Sequence, residues 1–449
     1  MFNLKEWNKQ ANIIGDILAK APKFDKDARI GREEFESRRK RVYEALKKAG
    51  FDAGIVYSDE HYHGDVPYLG GNTNISVEPV AGIVGKNGFS IIAGLEGCYV
   101  AEQLSKRSGC KVSRVEMLKL ADEEYPVEVD RLEDVVEDIC GAKPKRIALL
   151  TPRAVMPVSI YEWFEAYVGK GNLLDGQEIY YKIKYEKSDM EMQLTRQAAK
   201  ISDVMIEGML AVMKPGMLET QVAQWGYTIA SELGVEELGF DVMVTAGEAN
   251  RSLVGKALNR TINEGDFVHL GAGPAVDGLT ACERCSVVCT SKGGKITDTQ
   301  DYWLSFVEDA YRVGLDEYIN VAKNNLPAKY QEMALVKYFE DRQEEVCKRL
   351  GRQIDLTRLK PYTGTHNSGY TECQEFYGAI TLNSEEPLGN QIVMMLDVAA
   401  RGIGNSWDEV IIPDFDYILV EKTLGKFGNR VEVFNDLPIR VQHLVGSGY

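Results

Sequence analysis

Apolar residues recur along this chain with two different periods, and the switches between them outline its elements. RIGREEFESRRKRVYEALKKAG carries its apolar positions at helical spacing and predicts a helix ending at Gly50, followed by a strand at DAGIVYS. AGIVGKNGFSIIAG predicts a hairpin about Asn87-Gly88, because that dipeptide suits the turn that tight hairpins need. RLEDVVEDIC then predicts a helix and PKRIALLT a buried strand. Alternation of this kind predicts an α/β unit for residues 1–186.

The pattern changes near KIKYEKSDMEMQ, and residues 187–449 are expected to form a second domain. Ser188 followed by Glu191 is a capping box, in which each side chain satisfies the other's backbone N–H. Behind it Leu194, Ala198, Ile201, Met205, Met209 and Val212 keep helical spacing until Lys214-Pro215-Gly216. A second helix carries Val222, Trp225, Ile229 and Leu233 and stops at Gly234. Strands are expected at FDVMVTAG, DFVHL, TACERCSVVC, EFYGAITL, QIVMML and DYILVEK, with long helices over 298–323 and 327–350. The whole reads as an α+β protein of two domains, the second with helices on one face of a curved antiparallel sheet.

Composition narrows the partners more than the fold. The 449 residues are 44% hydrophobic and 27% charged, with no apolar run of membrane-spanning length. The opening MFNLKEWNKQANIIGDILAK lacks the features of a signal peptide, so a cytoplasmic protein without membrane partners is expected. A net charge of −16 argues against nucleic acid, since phosphate binding needs clustered Lys and Arg. The 8 cysteines are scattered and are expected to be reduced thiols.

Candidate chemistry centres on GPAVDGLTACERCSVVC. Asp277-Gly278 predicts a hairpin turn, and in the strand after it Leu279, Ala281, Glu283, Cys285 and Val287 share one face. A lone carboxylate there suits general acid or base work if desolvation raises its pKa; an edge strand with a solvated or ion-paired Glu283 is the other reading. Cys282 and Cys285 form a C-x-x-C whose sulfurs would point to opposite faces, which suits core residues better than a metal clasp. His61 and His63 lie in a polar loop, His269 in an apolar strand, and His366 in PYTGTHNSGY, where glycines and small polar residues let backbone approach a ligand.

These landmarks resemble the creatinase/prolidase/methionine-aminopeptidase superfamily, with its C-terminal pita-bread domain. The likeness runs through IKYEKSDMEMQLTRQAAK, VMKPGMLETQVA, TAGEAN, LNRTINEGDFVHLGAG, TACERCSVV and GTHNSGY. DAGIVYS, PYLGG and the AGIVG…SIIAG hairpin are similar to the creatinase-type N-terminal domain. The peptidases of this group bind two metal ions through two Asp, one His and two Glu. Carried over, those positions fall at Gly271, at Ala281 (or Cys282 in a shifted hairpin), at His366, at Leu396 with Asp397 adjacent, and at Phe415. The resemblance therefore implies no metal and no other cofactor, and points to the metal-free creatinase branch, with Glu283 at the catalytic glutamate. Creatinase's catalytic histidine corresponds to Val254, and its carboxylate-gripping arginine to Glu78, which implies a cationic substrate rather than creatine. The expected activity is a metal-independent hydrolase or lyase acting on a C–N bond of a small nitrogenous molecule. Glu283 would be the acid/base, His366 a second proton carrier and Asp397 an orienting carboxylate. Glu78, His63, Asn250 and Tyr362 would line the pocket, and Arg284 would hold the sheet together. The superfamily further implies a homodimer in which one subunit's N-terminal domain lids the other's site. Two alternatives stand beside this: an Xaa-Pro metallopeptidase, and a catalytically degenerate pita-bread binding protein.

Overall fold

The computed structural model describes residues 3–120, 126–360, 364–371 and 377–449. Its N-terminal half runs α1 (Leu4–Leu18), α2 (Arg32–Lys48), β1 (Ala53–Ser58), α3 (Asp65–Gly70), β2 (Val80–Gly85), β3 (Gly88–Ala93), α4 (Gly97–Ser105), β4 (Lys111–Arg114), α5 (Leu132–Cys140), β5 (Ile147–Leu149), α6 (Val158–Val168), β6 (Leu173–Asp175) and α7 (Gln177–Tyr185). Six strands form one mixed sheet in the order β4-β3-β2-β1-β5-β6. Strands β1, β2 and β5 are buried along their whole length, which is why they read as apolar runs rather than alternating ones. The expected hairpin is β2–β3; Gly85 faces Gly88 and the turn falls on Lys86-Asn87, one residue earlier than the sequence suggested.

The C-terminal half opens on α8 (Asp189–Val212), whose capping box is formed: Ser188 Oγ accepts from the Glu191 N–H at 3.1 Å, and Glu191 Oε2 accepts from the Ser188 N–H at 2.8 Å. It continues through α9 (Glu219–Glu232), β7 (Glu237–Ala246), β8 (Phe267–Val276), β9 (Leu279–Thr280), β10 (Glu283–Val288), α10 (Asp298–Asn324), α11 (Lys329–Leu350), β11 (Thr365–Asn367), β12 (Gln391–Arg401), β13 (Tyr417–Phe427) and β14 (Arg430–Val433). The second sheet is antiparallel, ordered β11-β12-β13-β10-β8-β7, with β14 beside β13 and β9 beside β8. Asp277 (φ 52°) and Gly278 (φ 79°) make the β8–β9 turn with both central residues left-handed, the geometry a two-residue hairpin favours.

The expected strand at EFYGAITL does not form over its described part, 377–382. Gly378 turns the chain there at φ 83°, and β11 takes the edge beside β12 instead. Glu375 and Phe376 lie outside the described residues.

Helices cover one face of this sheet. Leu396, Val398, Ile418 and Val420 pack into a core with Trp303, Leu304 and Val307 of α10. Their strand neighbours at the intervening positions therefore point to the opposite face, and that face carries the polar cluster described next. No helix among the described residues is long and apolar enough to cross a membrane.

Candidate active site

Strand register assembles the cluster. Arg284 pairs with Gly271 on one side and with Glu421 on the other, and Glu421 pairs with Asp397. Four neighbouring strands thus place Gly271, Arg284, Glu421 and Asp397 in one row on the face turned away from the helices. His366, paired with Met395 on β11, joins them from the sheet edge.

Arg284 is the hub. Its Nε donates to His269 Nε2 at 3.1 Å, and its Nη1 to Asp397 Oδ2 at 2.9 Å and to Glu421 Oε2 at 3.1 Å. Its Nη2 donates to the Leu253 carbonyl at 3.2 Å and reaches the Tyr417 hydroxyl at 3.4 Å. A guanidinium has five N–H donors and stays charged in proteins, so every donor here is engaged inside the protein. Gly271 makes this possible: a Cβ at that position would stand 3.0 Å from Arg284 Cγ. His269 accepts through Nε2 and so is neutral, with its proton on Nδ1. Burial, then the charge of Arg284, pushes its pKa well below the usual histidine value.

Glu421 is fully buried, which alone would raise its pKa; hydrogen bonds from His366 and Arg284 and their charges hold it below the usual carboxylate range instead. His366 Nε2 lies 3.5 Å from Glu421 Oε1, and its Nδ1 lies 3.1 Å from the Asn367 carbonyl. Both ring nitrogens face oxygen acceptors, an arrangement that the protonated ring satisfies twice. In that state two cations, Arg284 and His366, balance two carboxylates, Asp397 and Glu421. His366 is also the most accessible of the four, its side chain 12% exposed against 5% or less for the others.

The other sequence-based candidates are placed elsewhere. Glu283 is not brought together with His366 and Asp397: it faces the helix layer, buried, ion-paired with Lys422 across from it on β13. Burial raises its pKa well above the usual carboxyl value, Lys422 opposes this and the neighbouring Asp203 adds to it. Asn250 braces the loop before β8, accepting from Thr245 Oγ1 at 2.6 Å and donating to the Phe267 carbonyl at 2.8 Å. Glu78 is buried in the N-terminal half, where its carboxylate accepts from the Gly97 N–H at the start of α4. His63 is buried with Nδ1 3.6 Å from Glu237 Oε1. Tyr362 lies outside the described residues.

One carried-over position needs correcting. The last carboxylate of the cluster is Glu421, not the position of Phe415, which packs 4.7 Å from the Trp303 ring in the helix-side core. Leu396 likewise faces the helices, and its neighbour Asp397 faces the cluster. Glu421 was missed although DYILVEK signals it: alternation from Tyr417 puts Leu419 and Glu421 on the Tyr417 face, in register with Asp397.

Residues 193–367 match the model of metallopeptidase family M24. The chain carries an M24 peptidase-family domain. It is 23% identical over 245 residues to "Uncharacterized peptidase YqhT" of Bacillus subtilis, a match covering 54% of this chain and 65% of that protein's length. Among solved structures it is similar to the prolidase from Pyrococcus horikoshii OT3 (TM-score 0.68, 15% identity, 90% of this chain and 99% of that one). It is also similar to the X-Pro aminopeptidase from Thermotoga maritima MSB8 (TM-score 0.69, 18% identity, 89% and 98%). The fold is thus the two-domain pita-bread fold.

A two-metal centre of the M24 peptidase kind does not fit the residues of this M24 domain. Gly271 and Cys282 supply no carboxylate, and the guanidinium of Arg284 lies against the two carboxylates that are present. Donor atoms of His366, Asp397 and Glu421 do lie within 4.8 Å of one another, but an ion held by them would share both carboxylates with Arg284.

Proposed function

We propose that this M24-domain protein is a metal-independent hydrolase of a C–N bond in a small amide or peptide-like molecule, worked by His366 and Glu421. The reading is supported above all by the Arg284 guanidinium seated between Asp397 and Glu421. With His366 it keeps Glu421 ionised in a buried site, and its saturated hydrogen bonds leave it no direct hold on substrate. His366, the most accessible group of the cluster, gives its proton to the leaving nitrogen as the C–N bond breaks. Glu421 takes a proton from the water whose oxygen bonds to the carbonyl carbon, and passes it back to His366 across their contact, restoring both groups. Asp397 and Arg284 fix the carboxylate's position.

Screening of small amides and dipeptides, Xaa-Pro dipeptides included, should find turnover that survives dialysis against EDTA. His366→Ala and Glu421→Gln should each lower kcat by ~10²–10⁴-fold, the range for loss of a general acid or base. Turnover that vanishes with EDTA and returns with Mn²⁺ would overturn the reading. That outcome would favour a conventional metal dipeptidase, supported by the family match and by the spacing of His366, Asp397 and Glu421.

A further inference from the structure

Two buried carboxylates and a partly exposed histidine, with donor atoms within 4.8 Å of one another, are a divalent-cation site in every respect but one. A cation is already seated on them. We propose that the Arg284 guanidinium is what bars a metal ion from this cluster, and that removing its charge uncovers a one-ion site made of His366, Asp397 and Glu421.

Three observations carry this. The Nη1 nitrogen lies 2.9 Å from Asp397 and 3.1 Å from Glu421, so it holds an oxygen of each carboxylate that an ion would need. The arginine cannot swing aside cheaply, because its remaining donors are tied to His269, the Leu253 carbonyl and Tyr417. Gly271 is the space its stem requires, with only 3.0 Å between a notional Cβ and Arg284 Cγ. Bringing a divalent ion beside a fixed guanidinium sets like charges together at low dielectric, whereas without Arg284 both carboxylates lose the cation that lies against them. The inference rests on the cation reading of the site used above. Its readout is metal binding, so absence of hydrolysis would not touch it, and chelator-resistant hydrolysis would not establish it.

Mn²⁺ titration followed by electron paramagnetic resonance of the unbound ion, together with thermal shift, tests the proposal. Arg284→Gln should bind one Mn²⁺ per chain, at least ~10-fold tighter than wild type. Arg284→Lys, which keeps the charge, should stay as closed as wild type. Arg284→Gln/His366→Ala should lose the gain. If Arg284→Gln does not fold alone, Mn²⁺ in the refolding buffer should rescue it and should not rescue the double variant. Wild type binding Mn²⁺ as tightly as Arg284→Gln would overturn the proposal. So would an Arg284→Gln protein that neither binds Mn²⁺ nor is rescued by it.

Discussion

Glu283 and Arg284 are sequence neighbours in opposite surroundings. Alternation along β10 sends Glu283 into the helix layer against Lys422, and Arg284 into the polar cluster against Asp397 and Glu421. Sequence alone put Glu283 on a face with Leu279, Ala281, Cys285 and Val287, and that face is indeed buried apart from solvent. It could not say which of the two faces the helices cover, because that depends on strands more than a hundred residues away. Glu283→Gln should therefore leave kcat within about threefold of wild type, where loss of an acid or base costs ~10²–10⁴-fold. A drop of that larger size, with the far-ultraviolet circular dichroism unchanged, would return the acid/base role to Glu283. His366 was legible in the sequence from the glycines and small polar residues around it, and Asp397 through the family resemblance. Alternation in DYILVEK puts Glu421 on one face with Tyr417 and Leu419, but only strand pairing shows it to be their partner.

Elements were easier to read than their side chains' company. The α8 capping box, the Gly50 and Gly234 stops and the Asp277-Gly278 turn each rest on local backbone chemistry and stand where the sequence put them. The strand at EFYGAITL rested on β-rich composition alone, and Gly378 in a left-handed turn outweighs it. The start of β7 shows what local reading misses. Glu237 faces His63 from the other half of the chain, and burial, then the nearby Glu236, raises its pKa to about 7. A carboxyl raised in the folded state contributes stability that is present below about pH 4.5 and is lost as pH rises through about 7. The melting temperature should thus fall between pH 5 and pH 7.5, and Glu237→Gln should flatten that part of the profile. An unchanged slope in the variant would place the effect on other groups.

The N- and C-terminal halves meet through more than the segment that joins them. One hydrophobic cluster runs from Ile14 and Val42 to Met205, Val268 and Leu279. The Asp277 carboxylate at the β8–β9 turn is wholly buried among N-terminal residues. It accepts from the Ile30 N–H at 2.8 Å and from Arg107 Nη1 at 2.6 Å, and Arg107 Nη2 lies 2.6 Å from its other oxygen as an ion pair. A paired carboxylate of this kind contributes on the order of 1–3 kcal/mol through its charge-assisted hydrogen bonds. The peptide link between α7 and α8 is then dispensable for holding the halves in place. If a protease site is inserted at 186–188 and cut, the two fragments should co-elute on size exclusion as one nicked particle. Asp277→Ala should let a measurable share of them come apart. For such a protein covalent continuity is a matter of synthesis; integrity afterwards lies with the turn that reaches across.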